Sequence, residues 1–165
     1  MRLIGIDPGL NHTGWGVIEY ESGRLRFIAA GVIEPSIPEL PPGQSTLAVR
    51  LAHLYQALSQ IMTDFAPAQA AVEETFVNIN PVSTLRLGHA RAAAMLAPAL
   101  ADIPVFEYTA NKVKKAVTSN GHADKIQVQM MVRRLLPASA SQPADASDAL
   151  AVAICHAHSN GATRG

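Results

Sequence analysis

The apolar positions of the chain first fall into short continuous runs. Residues 2–9 form an apolar run that Asp-Pro-Gly ends, which is typical of a buried strand followed by a turn. Residues 12–20 and 24–34 have the pattern of two further strands, and the Glu-Ser-Gly at 21–23 is a hairpin signal. A Pro- and Gly-rich surface loop follows over 35–45. The first part of the chain is therefore predicted to contain a strand and a hairpin.

Beyond this loop the apolar residues recur mainly at helical spacing, interrupted by two short runs. The pattern predicts strands over 68–74 and 104–108 and helices over 45–65, 81–101, 124–136 and 142–158. Strands that alternate with helices after an initial hairpin favour one mixed α/β sheet with helices on both faces. We predict a single domain over 1–158 and a short C-terminal tail over 159–165.

Length and composition indicate a globular protein. The chain has 165 residues, 48% of them apolar, and no apolar run approaches the roughly 20 residues of a membrane span. Asp7 lies where an export signal would have its apolar core, so we expect no such signal. The single cysteine, Cys155, excludes an internal disulfide framework. These features predict a cytoplasmic protein without a membrane partner.

The formal net charge is zero, but the charges are unevenly distributed. Residues 1–85 contain four basic and eight acidic side chains, a net charge of −4, whereas residues 86–134 contain eight basic and three acidic ones, a net charge of +5. This asymmetry indicates an electropositive region beside an acidic one, as in proteins that bind nucleic acid. Scattered, solvated charges are the open alternative.

Two acids lie on the inward-facing side of the last predicted helix. Asp145 and Asp148 are three residues apart and therefore share a face, which Val152 and Cys155 continue toward the interior. Two like charges on such a face repel each other and are costly to desolvate. A compensating partner for them is therefore expected.

Two further acids follow predicted strands. Asp7 ends the first strand and Glu73 ends the fourth, and parallel neighbouring strands would bring both to one carboxyl edge of the sheet. The last helix can carry Asp145 and Asp148 over that edge. Four converging carboxylates suit Mg²⁺ or Mn²⁺ better than zinc, and two such ions ~4 Å apart can hydrolyse a phosphodiester.

Each acid also has a simpler interpretation. Asp7 before Pro-Gly can initiate a turn, and Glu73 can be a surface acid beside Glu74. Asp145 can be a helix N-terminal charge that the macrodipole favours. These alternatives stay open on the residues alone.

Seven segments, spread in order over nearly the whole chain, resemble the RuvC-type Holliday junction resolvases. They are IGIDPG, GWGVI, VEETFVN, STLRLGHARAA, PVFEYTANKVKKAV, SNGHADKIQVQMMV and ADASDALAVAICHAH. The resemblance implies an RNase H-like fold with a five-stranded mixed sheet, two Mg²⁺ ions per subunit with Mn²⁺ as a substitute, and paired symmetric nicks in four-way junction DNA. It places the catalytic, metal-binding carboxylates at Asp7, Glu73, Asp145 and Asp148.

The resemblance also implies DNA contacts. Lys114 and Lys125 match catalytic lysines that contact DNA near the scissile phosphate, and Phe76 matches an aromatic residue that stacks on junction bases. Arg86, Arg91 and Lys115, in the basic region, are expected as further DNA contacts. The family acts as a homodimer, here through the alanine-rich helix starting near residue 83, and together with a branch-migration helicase complex.

Two other functions remain as alternatives: a catalytically silent junction-binding module, and an actin-like nucleotide-binding fragment. The Asp-Pro-Gly turn before a glycine-rich hairpin would also suit such a fragment.

Cys155, His156 and His158 diverge around a helix, so we interpret them as a packed helix end rather than a metal site.

Overall fold

The computed structural model describes residues 1–35, 39–74 and 80–161. Its five strands are β1 (Arg2–Asp7), β2 (Thr13–Glu21), β3 (Arg24–Ile33), β4 (Gln69–Glu73) and β5 (Val105–Tyr108). Its helices are α1 (Thr46–Phe65), α2 (Pro81–Leu100), α3 (Ala110–Thr118), α4 (Lys125–Leu135) and α5 (Ala144–Gly161), with a short 3₁₀ turn at Pro137–Ser139.

The strands form one mixed sheet in the order β3-β2-β1-β4-β5. β1, β2 and β3 pair antiparallel, whereas β4 runs parallel to both β1 and β5. One face of the sheet is covered by α1 and α2, and the other by α3, α4 and α5. The predicted five-stranded α/β fold is therefore confirmed. No helix within the described ranges is long and apolar enough to cross a membrane.

The element boundaries follow from local chemistry. The hairpin between β2 and β3 turns through Ser22 and Gly23, which both have positive φ. The side chain of Ser45 accepts the Ala48 N–H and so begins α1. The last helix differs from its prediction at both ends, because Pro143 precedes α5 instead of lying in its first turn, and the helix continues to Gly161, into the predicted tail.

The alanine-rich face of α2 is turned inward. Ala90, Ala94 and Ala97 are almost completely buried in the cluster that α2 forms with α1 and the sheet. Small side chains let the two helices and the sheet approach closely, so the alanines serve the packing of this chain. Composition alone fits packing within the chain and a dimer interface equally well for this face, and the burial of these alanines shows packing within the chain. The dimer role of α2 stays a prediction. The exposed side of α2 carries larger apolar residues, Val82, Leu85, Leu96 and Leu100.

A buried histidine joins three elements on the other face of the sheet. His156 of α5 hydrogen-bonds through Nδ1 to the hydroxyl of Tyr108 in β5 at 2.7 Å, and through Nε2 to Oε1 of Gln69 in β4 at 2.9 Å. His156 and Cys155 are both fully buried, as predicted for packed residues, whereas His158 is exposed and the helix continues beyond it to Gly161.

Candidate active site

Strand alternation turns the two strand-end acids toward α5. Leu3 of β1 belongs to the core cluster on the α5 side, whereas Ile4 lies on the opposite face. Side chains alternate between faces, so Asp7, four residues after Leu3, faces α5. In β4, Ala71 lies on the α5 side and Glu73 follows two residues later. Both acids therefore point from neighbouring parallel strands toward the same helix.

Two glycines let α5 lie directly on the sheet. A Cβ added to Gly14 would stand 2.0 Å from the carbonyl oxygen of Asp145, and one added to Gly5 would stand 2.1 Å from the carbonyl oxygen of Ala149. Gly14 is also the partner of Asp7 in the β1–β2 ladder. This backbone-to-backbone contact places the first turns of α5, with Asp145 and Asp148, beside Asp7.

The acids meet at a cleft of about 210 Å³. Its lining combines three carboxylates and two lysines with small apolar side chains: Asp7, Glu73, Asp148, Lys114, Lys125, Ala110, Val113, Val128 and Ala151. Asp145 lies beside this lining and is joined to it through Lys125. The structure thus brings together all four predicted carboxylates and both predicted catalytic lysines.

Lys125 compensates part of the negative charge. Its Nζ lies 2.8 Å from Oδ2 of Asp148 and 3.9 Å from Oδ1 of Asp145. The hydrogen bond to Asp148 is the main reason that the pKa of Lys125 is raised. Lys114 lines the same cleft without forming an ion pair to any of the four acids. The two lysines are therefore held differently.

The carboxylates of the two strands are poorly compensated. Burial, followed by repulsion from Glu73, Asp148 and Asp145, raises the pKa of Asp7 from 3.8 to about 7. Burial and the charge of Asp148 also raise the pKa of Glu73. Both shifts come first from burial and then from repulsion between carboxylates, which a divalent cation would relieve.

The donor chemistry fits a hard divalent cation, because all four candidate ligands are carboxylate oxygens. In the described part of the chain, however, no three Asp, Glu, His or Cys side chains are gathered closely enough to hold an ion. A shared ion would need the carboxylates to lie closer together. Lys125 occupies an oxygen of Asp148 and lies near one of Asp145, which are two of the four candidate ligands.

The raised pKa of Asp7 predicts a pH-dependent stability of the metal-free protein. Because the folded state holds the Asp7 proton more tightly than the unfolded state, stability falls as the pH rises from about 4 to about 7. Asp7→Asn removes this loss. We expect the variant to melt at a higher temperature than the wild type above about pH 7 in EDTA, with a difference that shrinks toward pH 4.

Thermal melts of both proteins across this pH range measure the difference between their melting temperatures. Groups that titrate equally in both proteins cancel in this difference. A difference in melting temperature that does not change with pH would contradict the assignment of the raised pKa to Asp7.

The remaining predicted DNA contacts are placed unequally. Arg86 and Lys115 are exposed, on α2 and α3. The guanidinium of Arg91 forms an ion pair with Glu107 of β5, and this structural role accounts for Arg91 without DNA. Phe76 lies outside the described residues. All four DNA contacts stay predictions.

Sequence reasoning missed the positioning role of Gly5 and Gly14. A glycine at every second position of a buried strand, namely Gly14 and Gly16 of β2, was the available signal for a close helix, since such positions allow another backbone to approach.

Comparisons with known proteins agree with this geometry. Residues 3–156 match the family model "Crossover junction endodeoxyribonuclease RuvC". Proteins of that name from Xanthobacter autotrophicus and Paramagnetospirillum magneticum are each 52% identical to the chain, over 98% of its length and over 92% and 93% of their own.

Solved structures of RuvC proteins are also similar to this chain. The Thermus thermophilus RuvC structure superimposes with a TM-score of 0.82 at 30% identity, and T. thermophilus RuvC in complex with Holliday junction substrate with 0.84 at 31%. Each comparison covers 99% of this chain and 97% of the other. The yeast mitochondrial Holliday junction resolvase Ydc2, at 15% identity and a TM-score of 0.68, shares the fold. The chain belongs to the RuvC family of crossover junction endodeoxyribonucleases.

Proposed function

We propose that this chain resolves four-way DNA junctions by paired, symmetric nicks. Its family is one of endodeoxyribonucleases, and the chain is an enzyme of that kind. A structural relative at 31% identity was solved with a Holliday junction substrate. The observation that carries the proposal is the convergence of four carboxylates and two lysines at one cleft of this fold.

We propose Mg²⁺, two ions per subunit, as the metal, with Mn²⁺ as a substitute. The ligands would be Asp7, Glu73, Asp145 and Asp148, whose oxygens match this choice. When bound, two such ions activate a water for attack on the phosphodiester and stabilise the leaving oxygen. The raised pKa of Asp7 and of Glu73 supports the need for them.

The chain's own residues position the DNA and stabilise charge. The ammonium groups of Lys114 and Lys125 lie in the cleft, where they can contact the scissile phosphate and stabilise its developing negative charge. The apolar side chains of Val113, Val128 and Ala151 wall the cleft and reduce the water around these charges. Arg86 and Lys115 would hold the DNA backbone farther out.

A homodimer is proposed because two strands must be cut. Twofold symmetry would place two identical sites on the two strands of a nearly symmetric junction. Four exposed apolar side chains of α2 recur at helical spacing and share one face, which is a candidate surface for the second subunit: Val82, Leu85, Leu96 and Leu100. A branch-migration helicase partner and a cytoplasmic location rest on the resemblance and composition alone.

The direct test is cleavage of a mobile synthetic four-way junction, with a linear duplex of the same sequence as control. We expect Mg²⁺-dependent nicks, symmetric on two strands of like polarity, with ends that a ligase seals. The duplex should stay intact, and EDTA should stop the reaction. Denaturing gels before and after ligation measure all of these results.

The same assay decides the alternative of a silent junction-binding module. Junction binding without cleavage in either Mg²⁺ or Mn²⁺ would support that alternative and contradict the proposed nuclease.

A further inference from the structure

The Lys125 side chain is held between two of the proposed metal ligands. Its Nζ lies 2.8 Å from Asp148 Oδ2 and 3.9 Å from Asp145 Oδ1. A capping box orders the first turn of α4 at this position, because Asp124 accepts the Gln127 N–H at 2.8 Å and Gln127 Oε1 accepts the Asp124 N–H at 3.1 Å. The long, flexible side chain of Lys125 can leave the acids without breaking this turn.

An ammonium and a divalent cation compete for the same oxygens. A divalent ion bound by Asp148 Oδ2 would lie within a few ångströms of the Lys125 charge, and this repulsion is strong in a partly buried cleft. The Lys125 side chain is 58% exposed, so solvent is available to it if it swings away.

We propose that Lys125 is a built-in counter-ion that a divalent cation displaces from Asp148 and Asp145, and that this displacement releases its ammonium to the DNA phosphate. The inference rests on the proposed metal site at these carboxylates. It gives Lys125 two successive partners. The carboxylates hold it while the site is metal-free, and the scissile phosphate receives it once metal is bound.

The first experiment measures the accessibility of Lys125 in the intact, DNA-free protein. Pulsed reductive methylation followed by peptide mass spectrometry gives the labelling rate of each lysine, with and without Mn²⁺. We expect Mn²⁺ to raise the rate at Lys125 several-fold and to leave exposed Lys115 unchanged. In Asp148→Asn, the Lys125 rate should already be high without metal and should not respond to it.

The second experiment measures Mn²⁺ affinity by titration calorimetry. Lys125→Met removes the competing ammonium, so we expect the variant to bind Mn²⁺ about twofold to fivefold more tightly than the wild type, as expected for loss of a partly exposed ion pair. Lys114→Met is the matched control, because Lys114 lines the same cleft and its charge acts on Glu73, but it forms no ion pair with Asp145 or Asp148. We expect a clearly smaller gain for it.

The outcomes separate the two proposals. If Mn²⁺ binds but leaves the Lys125 labelling rate unchanged, or if both methionine variants gain equally, displacement is overturned and the metal site stands. If Mn²⁺ fails to bind the wild type at all, the proposed metal site is itself overturned, and the displacement proposal falls with it.

Discussion

Asp7→Asn will abolish cleavage of the four-way junction while junction binding remains within a few-fold of the wild type. Asp7 faces α5 from the end of β1, where the charges of three other carboxylates act on it, and it is one of the four proposed metal ligands. An amide keeps the shape but removes the charge. We expect a loss of at least about three orders of magnitude, more than the roughly 10²–10³-fold cost of removing one transition-state donor.

Single-turnover cleavage and gel-shift binding, measured on the same preparation, separate chemistry from affinity. Asp64→Asn is the matched control, because it makes the same chemical change at an exposed acid near the end of α1. Within the part of the chain that the structure describes, the Asp64 carboxylate accepts a hydrogen bond from Gln60 alone, a neighbour on the same helix. The control should cleave like the wild type. Wild-type cleavage by Asp7→Asn would mean that the chemistry lies elsewhere.

Gly14→Ala will destabilise the protein and reduce cleavage together. The added methyl would stand 2.0 Å from the carbonyl oxygen of Asp145, which is backbone and cannot rotate away. The start of α5 must therefore move off the sheet, and Asp145 and Asp148 move with it. We expect a loss of about 3 kcal/mol in the free energy of unfolding, the upper end of the range for overpacked cores.

Chemical denaturation measures this loss, and cleavage assayed well below the melting temperature measures displacement of the acids in the folded fraction. Gly88→Ala is the matched control, because a Cβ at Gly88 of α2 would meet nothing within 4 Å. In a helix interior that change should stabilise the protein by about 0.5–1 kcal/mol. Equal stability of Gly14→Ala and the wild type would contradict the close packing of α5.

The four carboxylates could be predicted from the sequence because each is tied to a local pattern. Asp7 and Glu73 end apolar runs that are recognisable as strands, and the alternation of side chains then decides their direction. Asp145 and Asp148 lie one helical turn apart, so their common face follows from spacing alone. The fold class followed from the same patterns, since hairpin, strands and helices appear in order along the chain.

The rest depends on contacts between distant segments. The ion pair of Lys125 with Asp148 joins α4 to α5, and that of Arg91 with Glu107 joins α2 to β5, so no local pattern shows either. The inward turn of the alanines of α2 depends on how closely α1 and the sheet approach. Composition indicates that such a face can pack tightly, but does not identify its partner.

The buried His156 of α5 changes the way in which the stability of this protein depends on pH. Burial lowers the pKa of His156 to about 4, so the imidazole stays neutral in the folded state and its contribution to stability is lost as the pH falls from 6.5 toward 4. Over nearly the same interval, protonation of Asp7 stabilises the metal-free protein. The two effects oppose each other, so the stability of the metal-free protein changes less with pH over this interval than either group alone would cause. This is an internal compensation of the free energy of unfolding. A cation bound at the proposed site would keep Asp7 ionised and would cancel this compensation. The metal-loaded protein would then lose stability faster than the metal-free protein as the pH falls.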